Sequence, residues 1–226
     1  MSQKINPINF RLGITQVWNT NFQIYGKSSI IYSNFLHSNL ITFQTLSFLY
    51  KWTNFLVTDY FTTAVKNKVT INFFYSEKQL ITQQNTESLS TLFSNWYNSA
   101  VVLNGYPQFQ WFYSLGLVIN YIQYLLVHNT NKSKVLFDLC SFFENRLGYK
   151  KIINSTRGPL LVKLVGFKIS LGGRIDNLGN QMAKLVSYKA GVLSLTSTKT
   201  VVEFSNSTIY TNLGTCGLQV WLFYKI

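Results

Sequence analysis

The spacing of apolar residues changes several times along the chain, and each change marks a different element. Residues 2–20 are polar with scattered apolar side chains and predict an extended arm. In residues 39–57, Leu40, Phe43, Leu46, Leu49 and Trp52 recur near helical spacing, with Ser38 or Asn39 placed to cap that helix. The period then shortens to two. Val69, Ile71 and Phe73 alternate with Thr70 and Asn72, the signature of a half-buried strand, and Lys66-Asn67-Lys68 suits a hairpin turn before it.

Residues 88–131 contain no Asp, Glu, Lys or Arg, and within them WFYSLGLVINYIQYLLV (111–127) approaches membrane-spanning length. Ser114, Asn120, Gln123 and the aromatic residues within that run favour a helix buried against protein. An organellar membrane protein with a span near 111–127 is therefore the rival reading. Residues 133–147 carry an apolar stripe of Val135, Leu136, Leu139, Phe142 and Phe143, which predicts an amphipathic helix ending at Gly148. A basic stretch, 150–157, follows and stops at Gly158-Pro159. Beyond it the pattern is strand-like. Phe167, Ile169 and Leu171 alternate with Lys168 and Ser170, Val201 to Phe204 is extended, and LQVWLFY (218–224) reads as a buried strand. Helices come first and strands cluster later, so the expected class is α+β.

Composition adds a partner. Twenty Lys and Arg against seven Asp and Glu leave 226 residues with a charge of +13, which a polyanion would neutralise. Nucleic acid is the first expectation and an anionic membrane the second. Between Lys132 and Lys199 twelve basic residues stand against Asp138, Glu144 and Asp176. The aromatic residues offer base-stacking surface but are assigned to the core. Abundant Phe, Tyr, Ile, Asn and Lys with scarce Ala point to AT-rich coding, as in an organelle genome.

No catalytic constellation is expected. The acids are scattered, and there is no Ser-His-Asp arrangement, GxGxxG or P-loop. Cys140 and Cys216 form no CxxC pair and lie far from His37 and His128, so buried thiols are expected, with no metal and no cofactor. Residues 1–11 have neither a long apolar run nor an Arg- and Ser-rich pattern, and synthesis inside the organelle is the simplest expectation.

SQKINPINFRLGI (2–14) followed by VWNT (17–20) resembles the start of the small ribosomal subunit protein 3 family, through Gln3, Lys4, Pro7, Arg11, Leu12, Gly13, Ile14, Trp18 and Asn19. GFKISLGGRI (166–175), then Ala183, Lys184, Gly191 and Leu195, and finally TNLGTCGLQVWLF (211–223) keep the family's order at the other end. The resemblance covers residues 2–75 and 133–226, whereas 79–130 match poorly.

This resemblance implies a degenerate type II KH-like module followed by a C-terminal α+β domain with an antiparallel sheet. It divides the chain into an arm (1–30), the module with its uncharged region (31–130) and the C-terminal domain (131–226). A KH module grips nucleic acid through a GxxG loop, but no GxxG occurs between residues 76 and 104, and Thr82 to Asn85 stand in its place. The module is therefore read as a protein contact surface.

In FENRLGYKK (143–151), Lys150 and Lys151 fall on the family's adjacent basic pair where messenger RNA enters. Asn154 replaces a third basic position, with Arg146 and Arg157 nearby to compensate. Lys4 and Arg11 on the arm, together with Lys168 and Arg174, complete the expected RNA-binding set. The implied partners are small-subunit ribosomal RNA, messenger RNA and neighbouring head proteins, ten and fourteen by family. The implied location is the mitochondrial ribosome rather than a plastid one, without membrane insertion.

Overall fold

A computed structural model describes residues 5–18, 20–21, 29–53, 56–65, 68–76, 83–107, 112, 114–128, 131–156, 158–175, 182–211 and 213–226. The chain divides into two compact units. One is Trp18–Leu117. The other joins the N-terminal segment ending at Val17 to Val118–Ile226. The boundaries expected from the sequence therefore shift: residues 5–17 and 118–128 belong with the C-terminal fold.

The first unit runs β1 (Thr20–Asn21), α2 (Ser29–Thr53), β2 (Leu56–Val65), β3 (Lys68–Ser76), α3 (Gln83–Tyr97) and β4 (Ala100–Pro107), numbering the helix Pro7–Arg11 of the other unit as α1. Its sheet has the order β1-β2-β3-β4. β2 and β3 are antiparallel, while β3 and β4 are parallel, a pairing that requires the crossover through α3. Along β3 the expected alternation holds: Val69, Ile71, Phe73 and Tyr75 are buried, and Thr70, Asn72 and Phe74 are half-buried. Leu46 of α2 and Phe93 of α3 close the core over Val69 and Ile71. Val65 pairs with Lys68, as the expected hairpin requires, though residues 66 and 67 of its turn lie outside the described residues.

α2 begins well before the expected cap, and Ser38 and Asn39 sit inside it. Their polar groups are used differently. Ser38 donates to the carbonyls of Asn34 (2.9 Å) and Trp96 (3.0 Å), and the Asn39 side-chain oxygen accepts from the Tyr97 hydroxyl at 2.7 Å. Burial pushes the Tyr97 phenol up to about 12. Of the stretch standing in place of a GxxG loop, Thr82 lies outside the described residues, and Gln83 to Asn85 open α3.

The second unit contains α1, most of α4 (Leu115–His128), α5 (Lys132–Glu144), β5 (Lys150–Ser155), β6 (Gly158–Gly173), β7 (Lys184–Gly191), β8 (Val201–Thr211) and β9 (Gly214–Lys225). The expected extended arm is a short helix instead. Pro7 stands at its start, where a missing N–H costs nothing, and Asn6 caps the Ile8 amide at 2.9 Å.

The sheet order is β5-β6-β9-β8, with β7 also on β6. β5 and β7 share one edge of β6 in succession. Residues 158–163 pair with β5, and 166–173 pair with β7. At the changeover, Gly166 and Gly191 face each other. A Cβ on Gly191, whose φ is +76°, would lie 2.1 Å from the Val165 carbonyl oxygen, so only glycine fits there.

On β9 the even residues Cys216, Leu218, Val220, Leu222 and Tyr224 are all buried. Their partners Leu171, Ile169 and Phe167 on β6 share that face, and Phe143 of α5 stacks on Phe167 with ring centroids 5.3 Å apart. Of the expected α5 stripe, Leu136, Leu139 and Phe143 are core, while Val135 and Phe142 are half-buried. α4 buries Val118, Ile119, Ile122 and Leu126, in keeping with a helix packed against protein. It has 14 residues, and among the described residues no helix is long and apolar enough to cross a membrane. Cys140 and Cys216 are both buried and unbridged, and burial raises the Cys140 thiol to about 11.

Candidate nucleic-acid interface

The odd residues of β9 define the opposite face of the C-terminal sheet, because successive side chains of a strand point to opposite sides. Lys225 lies opposite Lys163 on β6, which lies opposite Lys150 on β5. Two residues before Lys225 on β9, Phe223 pairs with Gly166 and Val202, and all three are buried, so the two lysine rows are parted by a covered one. The next row runs Lys189, Lys168, Trp221, Phe204 across β7, β6, β9 and β8. Here the Lys168 ammonium sits 4.6 Å from the Trp221 ring centre, and Phe204 stacks on Trp221 at 5.1 Å. Beyond it, Ser187, Ser170, Gln219 and Asn206 form a polar row.

Five lysines thus share one face. The described acids of this unit are elsewhere: Asp138 and Glu144 on α5, and Glu203 opposite Leu222 on the buried face. The arrangement presents distributed positive charge beside half-exposed aromatic rings, which suits a phosphate backbone.

The same alternation separates the expected basic pair. Lys150 is exposed on the open face, whereas Lys151 pairs with Val162 and points to the other side. Its ammonium bonds the Glu203 carboxylate at 2.7 Å, and the buried Tyr224 hydroxyl donates to the same carboxylate at 3.3 Å. Burial, with Glu203 adding to it, raises the Tyr224 phenol well above its ordinary value. Lys151 is therefore a neutralised structural cation, and only Lys150 of the pair faces outward.

Arg11 also departs from its expected role. It is 0% exposed, and its guanidinium donates to the carbonyls of Pro7, Ser194, Leu195, Ser197 and Thr200 at 2.8–3.1 Å. Buried inside the fold and closed to solvent, it ties α1 to the segment between β7 and β8. Arg146 lies over the Phe142 ring, its guanidinium carbon 3.4 Å from the centroid. Arg174 is exposed just past β6, and its carbonyl accepts from the Cys216 thiol at 3.5 Å. Lys4 and Arg157 lie outside the described residues.

Lys163, Lys189 and Lys225 went unread in the sequence. Lys163 could be heard in the alternation of LVKL, but only strand register brings it beside Lys150 and Lys225.

The fold and this face define the class: a basic α+β protein with a lysine-bearing sheet face. No family model matches the chain. It is 38% identical over 99% of its length to the small ribosomal subunit protein uS3m of Chondrus crispus, covering 94% of that protein. It is 20% identical over 99% of its length to uS3 of Dichelobacter nodosus, covering 85% of that protein. A segment of 80 residues, 35% of the chain, is 34% identical to uS3c of Euglena longa and covers 36% of it. The chain belongs to the small ribosomal subunit protein uS3 family, in its mitochondrial form.

Proposed function

We propose that this chain is a structural constituent of the small subunit of the mitochondrial ribosome, in its head. The five-lysine face of the C-terminal sheet binds RNA there. The observation that carries this reading is that face itself: Lys150, Lys163, Lys225, Lys168 and Lys189 in register, with the described acids of the unit elsewhere. Lysines spread over a sheet face meet the phosphate backbone of RNA without reading bases. Lys150, near the start of β5, is the residue we assign to messenger RNA on the side where it enters.

The first unit has a different task. Its order α2-β2-β3-α3-β4, with a parallel last pair, supports the degenerate type II KH reading. Without a GxxG sequence it has no glycine backbone to bring against phosphates. It does expose Tyr32, Leu36, Leu40 and Phe43 along one side of α2, an apolar stripe suited to protein rather than RNA. Neighbouring head proteins, ten and fourteen by family resemblance, are the partners we assign to this unit.

Sedimentation of a detergent-treated organelle lysate tests the reading. Recovery of the chain with small-subunit RNA, near one copy per subunit after a moderate salt wash, is the expected outcome. Recovery in detergent micelles at the top of the gradient would refute it.

A further inference from the structure

We propose that Lys150, Lys163 and Lys225 together form a seat for one backbone phosphate of single-stranded RNA. This rests on the RNA-binding reading of the open sheet face and assigns it a specific subsite. The adjacent pair Lys150–Lys151 is not the binding unit, because a strand sends neighbours to opposite sides and Lys151 is engaged with Glu203.

Register builds the unit instead. Lys150, Lys163 and Lys225 stand directly opposite one another on three neighbouring strands. Their Cβ atoms are then about 5 Å apart from strand to strand, a spacing at which like charges destabilise a sheet. Among the described residues the single ion pair is Lys151 with Glu203, so no acid side chain relieves the repulsion within the row. An external anion relieves all three charges at once.

The row also lines a cavity. An open concavity of about 620 Å³ is bounded by the three lysines and by Leu161, Val165 and Ile226. Apolar walls reduce the screening by water and strengthen the attraction for an anion that enters. They also suit the sugar or base of an unpaired nucleotide, which a duplex does not present. Gly148 keeps one rim clear: with φ at +96°, a Cβ there would approach the Lys163 side chain to 3.3 Å. The glycine is held by its amide, which donates to the Leu164 carbonyl at 2.8 Å.

The test uses the purified full chain and a fluorescein-labelled oligouridylate, read by anisotropy over a range of KCl concentrations. Lys163→Gln with Lys225→Gln should weaken binding about tenfold at moderate salt and lower the slope of log affinity against log salt by about 0.7, the share of one phosphate on a single strand. Lys163→Arg with Lys225→Arg should restore binding, because charge is kept. Lys151→Gln should leave the affinity unchanged. Circular dichroism checks that the Gln variants fold.

Unchanged binding by the double Gln variant overturns the proposal, as does an equal loss with Lys151→Gln. Loss of binding to phosphatidylcholine vesicles carrying cardiolipin, with RNA binding kept, would assign the seat to a membrane surface and also overturn it. Cosedimentation of the wild-type chain with small-subunit RNA is scored separately, so a failed ribosomal reading is distinguishable from a failed seat.

Discussion

Replacing Arg11 by Met keeps most of the aliphatic stem and removes a buried cation held by five backbone carbonyls. The loss has two parts. Each charge-assisted bond contributes about 1.5–3 kcal/mol, and each carbonyl left without a donor costs about 1–3 kcal/mol. The Thr200 hydroxyl also donates to the Ser194 and Ser197 carbonyls, at 3.2 and 3.1 Å, so those two are partly covered. Removing the guanidinium also ends its desolvation cost, which offsets part of the sum. The balance is a loss of about 3–4 kcal/mol, a large share of the roughly 5–15 kcal/mol that holds a typical protein.

Because the chain has two units, a single melting midpoint is a poor measure. Native-state hydrogen exchange of amides in residues 192–202 is the local one. The Met variant should lose several hundredfold protection there, about what 3–4 kcal/mol corresponds to. Arg11→Lys should recover only part of this, since a compact ammonium cannot reach acceptors spread around a planar fork. Protection within threefold of wild type in the Met variant, or full recovery by Lys, would refute the reasoning.

Gly191→Ala should destabilise the C-terminal unit by about 2–4 kcal/mol in urea unfolding, since a Cβ would lie 2.1 Å from the Val165 carbonyl oxygen at a φ of +76°. Glu203→Gln should lower stability by about 1 kcal/mol without changing RNA affinity, as it removes the anion that Lys151 meets on the buried face. Alkali should weaken the first unit. The Tyr97 pKa is raised to about 12 from 10.0, so the unfolded state releases its proton first and stability falls as pH rises from about 10 toward 12. Tyr97→Phe should blunt that fall in a circular dichroism titration while costing about 1 kcal/mol at neutral pH through the lost bond to Asn39.

Much of the fold was legible because local pattern and tertiary burial agree. Val69, Ile71 and Phe73 alternate in sequence and are buried in the sheet. Phe167, Ile169 and Leu171 do the same, and Leu136, Leu139 and Phe143 recur at helical spacing and are buried along α5. The failures share a cause. Ser38 and Asn39 have the chemistry of a cap, but their partners, Trp96 and Tyr97, come from another helix, which sequence spacing does not show. Arg11 was expected to meet ribosomal RNA because it lies in a polar N-terminal segment of a strongly basic chain, within the run that carries the family resemblance. Its acceptors lie more than 180 residues away, apart from Pro7.

By itself, the sequence determined the α+β class, the strands and helices that bury their own apolar faces, the excess positive charge, and the ordered motifs at both ends that carry the family resemblance. Those properties depend on residue type and near-neighbour spacing. Only the tertiary structure decided which cations are free to meet a polyanion. Strand alternation parted Lys150 from Lys151, and strand register joined Lys150 to Lys163 and Lys225 from three segments of the chain. Burial turned Arg11 inward. A charge acts over distances set by folding and by the dielectric around it, so its role follows from where the backbone places it and which carbonyls and carboxylates arrive beside it.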